Sequence, residues 1–247
     1  MTSLAEATAY FEALQDRFTK VRDHRGVFVA AYVQITLGVG EKIRQGAFRD
    51  NVWVERYLVA FANLYRGALE AFEGGDLAHC PKAWQIAFNA AVKGETSVLQ
   101  DLVLGMNAHI NGDLPLALVA AGIGPDRALR KADHLAVNAI LEAHTDQVQD
   151  SVAKLYAPVL AALDFAGGRT DELVAGFAIE KARESAWRKA VLFTDAPAAI
   201  APLLRQALES ETGFLAQAIR LPTVANPFLR AALRKIDEEK FWGVFLA

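Results

Sequence analysis

His109 and Asp113 stand four residues apart in the run Leu104-Gly-Met-Asn-Ala-His-Ile-Asn-Gly-Asp-Leu114. On an α-helix that spacing places them ~40° apart around the axis and ~6 Å along it. Leu102, Gly105, Met106 and Leu116 fall on the same side, so an imidazole and a carboxylate face an apolar interior. Polar groups buried there cost stability unless they find partners. Two chemistries suit the pair. It can serve as an acid–base couple, or it can supply two ligands to one divalent metal ion such as zinc, which accepts imidazole nitrogen and carboxylate oxygen. Two ligands are too few for a catalytic zinc site, so a third has to come from elsewhere. Asp133 is the first choice and His144 the second, each on an apolar side of the following helix. In the alternative, Asp113 only orients His109 and both satisfy their neighbours.

Other residues join the candidate set. Asn107 and Asn111 form a second pair at one-turn spacing on the opposite side, with Val103 and Leu118, and are candidates for holding substrate. Tyr32, Trp84 and Trp187 are expected in the wall of a pocket, because aromatics beside buried polar groups commonly line small-molecule sites. Arg183 shares a side with Ala186, Trp187 and Ala190. It reads as a counter-ion to Asp113 or Asp133, or as an anchor for an anionic substrate. Asp133 and His144 are eleven residues apart, ~16 Å along a helix, and cannot share an ion with each other. His134 and Asn138 are expected on a solvated edge, His24 in a solvated charged turn, and Cys80 as an inert thiol.

The chain around these residues has 247 residues, 53% hydrophobic and 22% charged, with 26 basic and 29 acidic side chains. That is enough for one sizeable core and too apolar for a disordered protein. The near-neutral balance shows no footprint for nucleic acid. A single cysteine rules out a disulfide framework and a multi-cysteine zinc site. No secretory leader or membrane-spanning stretch is apparent, which makes the cytoplasm the expected location. An oligomer is possible on sequence grounds. Glycine-rich nucleotide loops and the Gly-x-Ser-x-Gly elbow are absent from the sequence.

The elements that must position the pair read at helical period almost throughout. The pattern predicts one all-α domain over 1–247, a bundle of about nine helices near 3–22, 27–45, 52–73, 81–92, 96–120, 126–157, 171–193, 197–220 and 227–246. Ser3 with Glu6 reads as a capping box, and Gly167-Gly168 as a break. Val29, Val33, Ile35 and Thr36 favour a strand, but without alternation or a hairpin partner the segment is expected helical. The helix near 126–157, ~45 Å long, must kink or extend past the core. The last helix, with Phe241, Trp242 and Phe245, is expected to dock on the core.

Asn107-Ala-His-Ile-Asn-x-Asp-Leu114 resembles the hallmark of a family of uncharacterised, all-helical proteins found in bacteria and fungi. Gly26-Val-Phe with Tyr32 and Thr36, Trp84, Asp133 with Asn138, and Arg183-x-x-Ala-Trp187 look like that family's further elements. The resemblance spans most of the chain and locates a site without implying a reaction. The arrangement is also similar to helical zinc phospholipases and nucleases, yet five histidines in all and no N-terminal Trp ligand argue against a three-zinc cluster. Together these residues point to a small-molecule enzyme, with metal-assisted hydrolysis as the concrete form. The alternative is a metal-free helical protein that binds or cyclises a hydrophobic small molecule.

Overall fold

A computed structural model describes residues 1–156 and 179–224. The helix expected at 227–246, the docking of Trp242 and the Gly167-Gly168 break lie outside the described residues. Among those described, every regular element is helical, as the periodicity predicts.

Helix α1 (Leu4–Val21) begins where the Ser3 hydroxyl accepts the Glu6 N–H at 3.2 Å. The Glu6 carboxylate accepts the Thr2 N–H at 2.7 Å instead of closing a full capping box. A full box forms where it was not foreseen, at Ser97 and Gln100. Helix α2 (Gly26–Arg44) carries the β-branched cluster, and burial of Val27, Val29, Val33 and Thr36 overrides their strand preference. By length and composition α2 could cross a membrane, but 67% of its apolar window is buried inside the protein.

Helix α3 (Asn51–Glu73) starts at Asp50, whose carboxylate accepts the Trp53 N–H at 2.9 Å. It carries Trp53, Tyr57, Phe61 and Tyr65 at four-residue intervals, all buried. Four-residue spacing keeps side chains on one face, so they build an aromatic ladder through the core. Trp53 stacks on Tyr57 at 5.5 Å and Tyr57 on Phe61 at 6.2 Å.

Helix α4 (Lys82–Lys93) follows Pro81, and α5 (Val98–Met106) follows the Ser97 cap. At Gly105, α5 meets α2 so closely that a Cβ would lie 2.6 Å from the Phe28 Cβ. Gly105→Ala should therefore destabilise the fold by about 1–3 kcal/mol through overpacking. A thermal melt should fall by at least about 2 °C; an unchanged melt would show a looser crossing.

The expected helix 96–120 is interrupted. Between α5 and α6 (Leu114–Ala121) the segment Asn107–Asp113 is a π-helical turn. The Leu114 N–H reaches back five residues, to the His109 carbonyl. Pro115 supplies a physical reason: it has no N–H to donate and its ring crowds the carbonyl four residues earlier, so the preceding turn widens. Such single π turns gather at functional sites.

The expected 126–157 helix breaks at His144 into α7 (Arg127–Ala143) and α8 (Thr145–Tyr156). His144 Nδ1 lies 2.8 Å from the Ile140 carbonyl, and the ring sits against Gly38, where a Cβ would be 2.5 Å from Nε2. This seat turns α8 onto α2. Helix α9 (Ile179–Asp195), a 3-10 turn (Ala198–Ile200) and α10 (Ala201–Val224) complete the described chain. Helices α4, α9 and α10 pack around the π turn.

Candidate active site

The π turn holds His109 and Asp113, which are 2% and 3% exposed. His109 Nδ1 lies 2.9 Å from Asp113 Oδ2. The Trp84 indole N–H donates to that same oxygen, also at 2.9 Å. An oxygen accepting from an indole, which only donates, is an acceptor. It therefore takes the Nδ1 proton too and leaves the Nε2 lone pair of His109 free. Nε2 is buried and has no hydrogen-bond partner among the described residues.

Five aromatic rings enclose the imidazole. Phe61 stacks on its face at 3.4 Å between centroids and 11° between planes. Tyr32 meets it edge-on at 4.8 Å and Phe28 at 5.3 Å. Trp84 and Tyr65 stand at 6.0 and 6.3 Å. In this setting burial holds the imidazole below its ordinary pKa, while the hydrogen bond and charge of Asp113 pull the other way. Burial pushes the Asp113 carboxyl up, opposed by His109 and the Trp84 hydrogen bond. Burial also pushes the Tyr32 phenol up, with Tyr57 and Asp113 adding to it.

Asn107 and Asn111 are not in this cage. Asn107 Nδ2 donates to the Thr212 carbonyl of α10 at 3.0 Å, and its Oδ1 accepts from Asn111 Nδ2 at 3.0 Å. They fasten the π turn to α10.

The expected metal ligand set does not assemble. Both Asp133 oxygens accept backbone N–H groups, from Arg49 at 2.9 Å and Asp50 at 2.8 Å, at the entrance to α3. A carboxylate there satisfies donors and favours the helix N-terminus. His144 sits against Gly38, bonded to its own helix. Among the described residues no group of three or more His, Cys, Asp or Glu side chains is placed to hold a metal ion.

Arg183 is buried in a second polar cluster, on α9. Its Nε donates to Asn138 Oδ1 at 2.7 Å, Nη2 to the His134 carbonyl at 2.7 Å, and Nη1 to the Tyr57 hydroxyl at 3.3 Å. It pairs with neither Asp113, which bonds to His109, nor Asp133, which bonds to the Arg49 and Asp50 N–H groups. His134, expected on a solvated edge, is fully buried here, and Trp187 packs on it at 5.3 Å rather than on His109. Burial and the Arg183 charge push the His134 imidazole down to about 2. His24 does lie in a turn, but it is half-buried, with its Nδ1 3.0 Å from Asp101 Oδ2. Burial pushes the Cys80 thiol up to about 12, consistent with an inert thiol.

The site thus draws on residues that carried no site role in the sequence: Phe28, Phe61 and Tyr65 around His109, and Tyr57 on Arg183. The signal for three of them was the aromatic repeat at 53, 57, 61 and 65.

Fold and site define an all-helical protein built around a buried His–Asp pair on a π turn. The chain belongs to the DUF5995 family, a family of unknown function whose model matches residues 4–222. No curated protein and no solved structure matches it.

Proposed function

We propose that the protein is an enzyme acting on a small, partly apolar molecule, with His109 Nε2 as general base and Asp113 as the group that orients it. The supporting observation is the unpartnered Nε2 in the core. A purely structural histidine would be expected to satisfy both ring nitrogens, since a buried polar atom without a partner costs about 1–3 kcal/mol. Here one nitrogen is anchored through Asp113 to Trp84 and the other is left basic, the arrangement of an oriented imidazole base. A neutral imidazole, favoured by burial, is the form that can take a proton. Ester or amide hydrolysis by a His-activated water is the concrete reaction, without a metal.

The test is hydrolysis of p-nitrophenyl acetate and butyrate by metal-stripped protein. His109→Asn keeps a donor near the Nδ1 position and removes the base. Turnover should fall about 10²–10⁴-fold, the usual contribution of a general base. Turnover unchanged in His109→Asn, or restored only by one equivalent of zinc, defeats this reading. The five rings around His109 favour a second one, a metal-free protein that binds or cyclises a hydrophobic molecule. In that case an apolar ligand binds without any turnover.

A further inference from the structure

Among the described residues the buried guanidinium of Arg183 has only neutral partners. Asn138, Tyr57 and the His134 carbonyl accept its protons. His134 Nε2–H donates to the Arg183 carbonyl at 3.2 Å, which makes Nδ1, 3.4 Å from Nη2, a neutral acceptor as well. A guanidinium has five N–H donors. Nε uses one and Nη2 points both of its protons at His134, so Nη1 keeps one beyond its contact with Tyr57. The Tyr57 hydroxyl accepts from Nη1, and its own proton has no acceptor among the described residues. No carboxylate stands within ion-pair distance of Arg183 among those residues, although the side chain is almost fully buried. A charge withdrawn from water without an opposite charge is costly, and buried charges are ordinarily paired.

Two adjacent donors, one of them cationic, match the two oxygens of a carboxylate. Their position relates them to His109. Tyr57 and Phe61 are one turn apart on α3, their rings stacked at 6.2 Å, and Phe61 lies flat on the imidazole. The anionic end and the base therefore flank one apolar turn of α3, with Tyr32 against the same imidazole and Phe61 rings.

Resting on the reading of His109 as a base, we infer that the ligand of this site is a small monocarboxylic acid, its carboxylate held by Arg183 Nη1 and the Tyr57 hydroxyl, and its body, one aromatic ring or a short alkyl chain, lying along Phe61 toward His109. The acid end fixes orientation, and the apolar body spans the distance to the imidazole.

Calorimetric titration of the full chain at pH 7 with benzoate, phenylacetate and hexanoate, each against its primary amide, tests this. At least one acid should bind, with its amide at least ten-fold weaker. Tyr57→Phe keeps the ring in the ladder and should weaken the acid three- to ten-fold while leaving the amide unchanged. Arg183→Gln should weaken it more, and if that variant does not fold, Tyr57→Phe decides alone. Amides binding as well as acids, or an undiminished acid affinity in Tyr57→Phe, overturns the inference. So does the absence of binding by every acid, the result expected if a carboxylate of the chain itself meets Arg183. The two readings fail separately. Acid-selective binding that persists in His109→Asn, with no ester turnover in the wild type, removes the base and keeps the carboxylate site. Ester turnover lost in His109→Asn, with no preference for acids, does the reverse.

Discussion

Asp113→Ala should lower the stability of the fold by about 1–3 kcal/mol for each of the two buried donors it leaves without an acceptor. One oxygen of this carboxylate accepts both the Trp84 indole N–H and the His109 Nδ1 proton. Alanine leaves both donors in a core where His109 is 2% and Trp84 1% exposed. Neither can turn to water, because Phe61 covers the imidazole and Phe88 stacks on the indole at 5.0 Å. Asp113→Asn presents an amide oxygen to the same donors and should cost much less, yet it removes the charge that favours an imidazolium during proton transfer. The pair of variants thus separates folding from chemistry: alanine lowers stability, and asparagine lowers turnover in a protein that melts near the wild type. Denaturant unfolding read by far-ultraviolet circular dichroism measures the first. Loss of the alanine effect in a Trp84→Phe background, below the sum of the single changes, would show that both donors depend on this oxygen. An alanine variant within about 1 kcal/mol of wild type would mean that Asp113 is not their common acceptor.

The His109–Asp113 pair was legible because its evidence is local: two polar residues, four apart, on a side otherwise apolar. The helical fold was legible for the same reason, since each helix shows its own period. What escaped depends on contacts distant in sequence. Arg183 meets Tyr57 across 126 positions and Asn138 across 45, and nothing near Arg183 announces either. His134 looks like a surface residue from its neighbours and is buried by α9 arriving over it. The break at His144 has no proline or glycine to mark it; the ring fits against Gly38 on a helix more than a hundred residues earlier. Asp133 was expected as a metal ligand, and its actual partners, the Arg49 and Asp50 N–H groups at the start of α3, stand more than eighty positions away. The π turn left a faint trace in Pro115, two residues past Asp113, which an α-helical reading of the motif absorbs without comment. One aromatic repeat, on α3, was fully present in the sequence and became informative only once the ladder was seen to run from Trp53, whose indole N–H donates to the Gly122 carbonyl, past Arg183 to His109.

Acid should weaken this fold well before its surface carboxylates titrate. In the native state the His134 imidazole is pushed down to about 2 by burial and by Arg183, whereas in the unfolded chain it returns to ~6.5. The unfolded state therefore binds the proton that the native state refuses. Stability is fully present above pH ~6.5 and falls as the pH drops below it, by up to 1.36 kcal/mol per pH unit for each such group until the native value is reached. For His134 alone the loss between pH 7 and 5 is about 2 kcal/mol. His109, also held down by burial, adds a loss of the same sign. Asp113 acts oppositely: burial raises its native value above the ordinary carboxylate range, so its protonation favours the folded state as the pH falls toward that range. The net slope between pH 7 and 5 is set by the two histidines. Urea titrations at pH 7, 6 and 5 should show the free energy of unfolding decreasing at each step. His134→Gln, although less stable at pH 7 for want of its bond to the Arg183 carbonyl, should show a distinctly shallower decline. A free energy of unfolding that is flat from pH 7 to 5 would mean that water reaches His134, and with it that Arg183 is less enclosed than its hydrogen bonds to Tyr57, Asn138 and the His134 carbonyl imply.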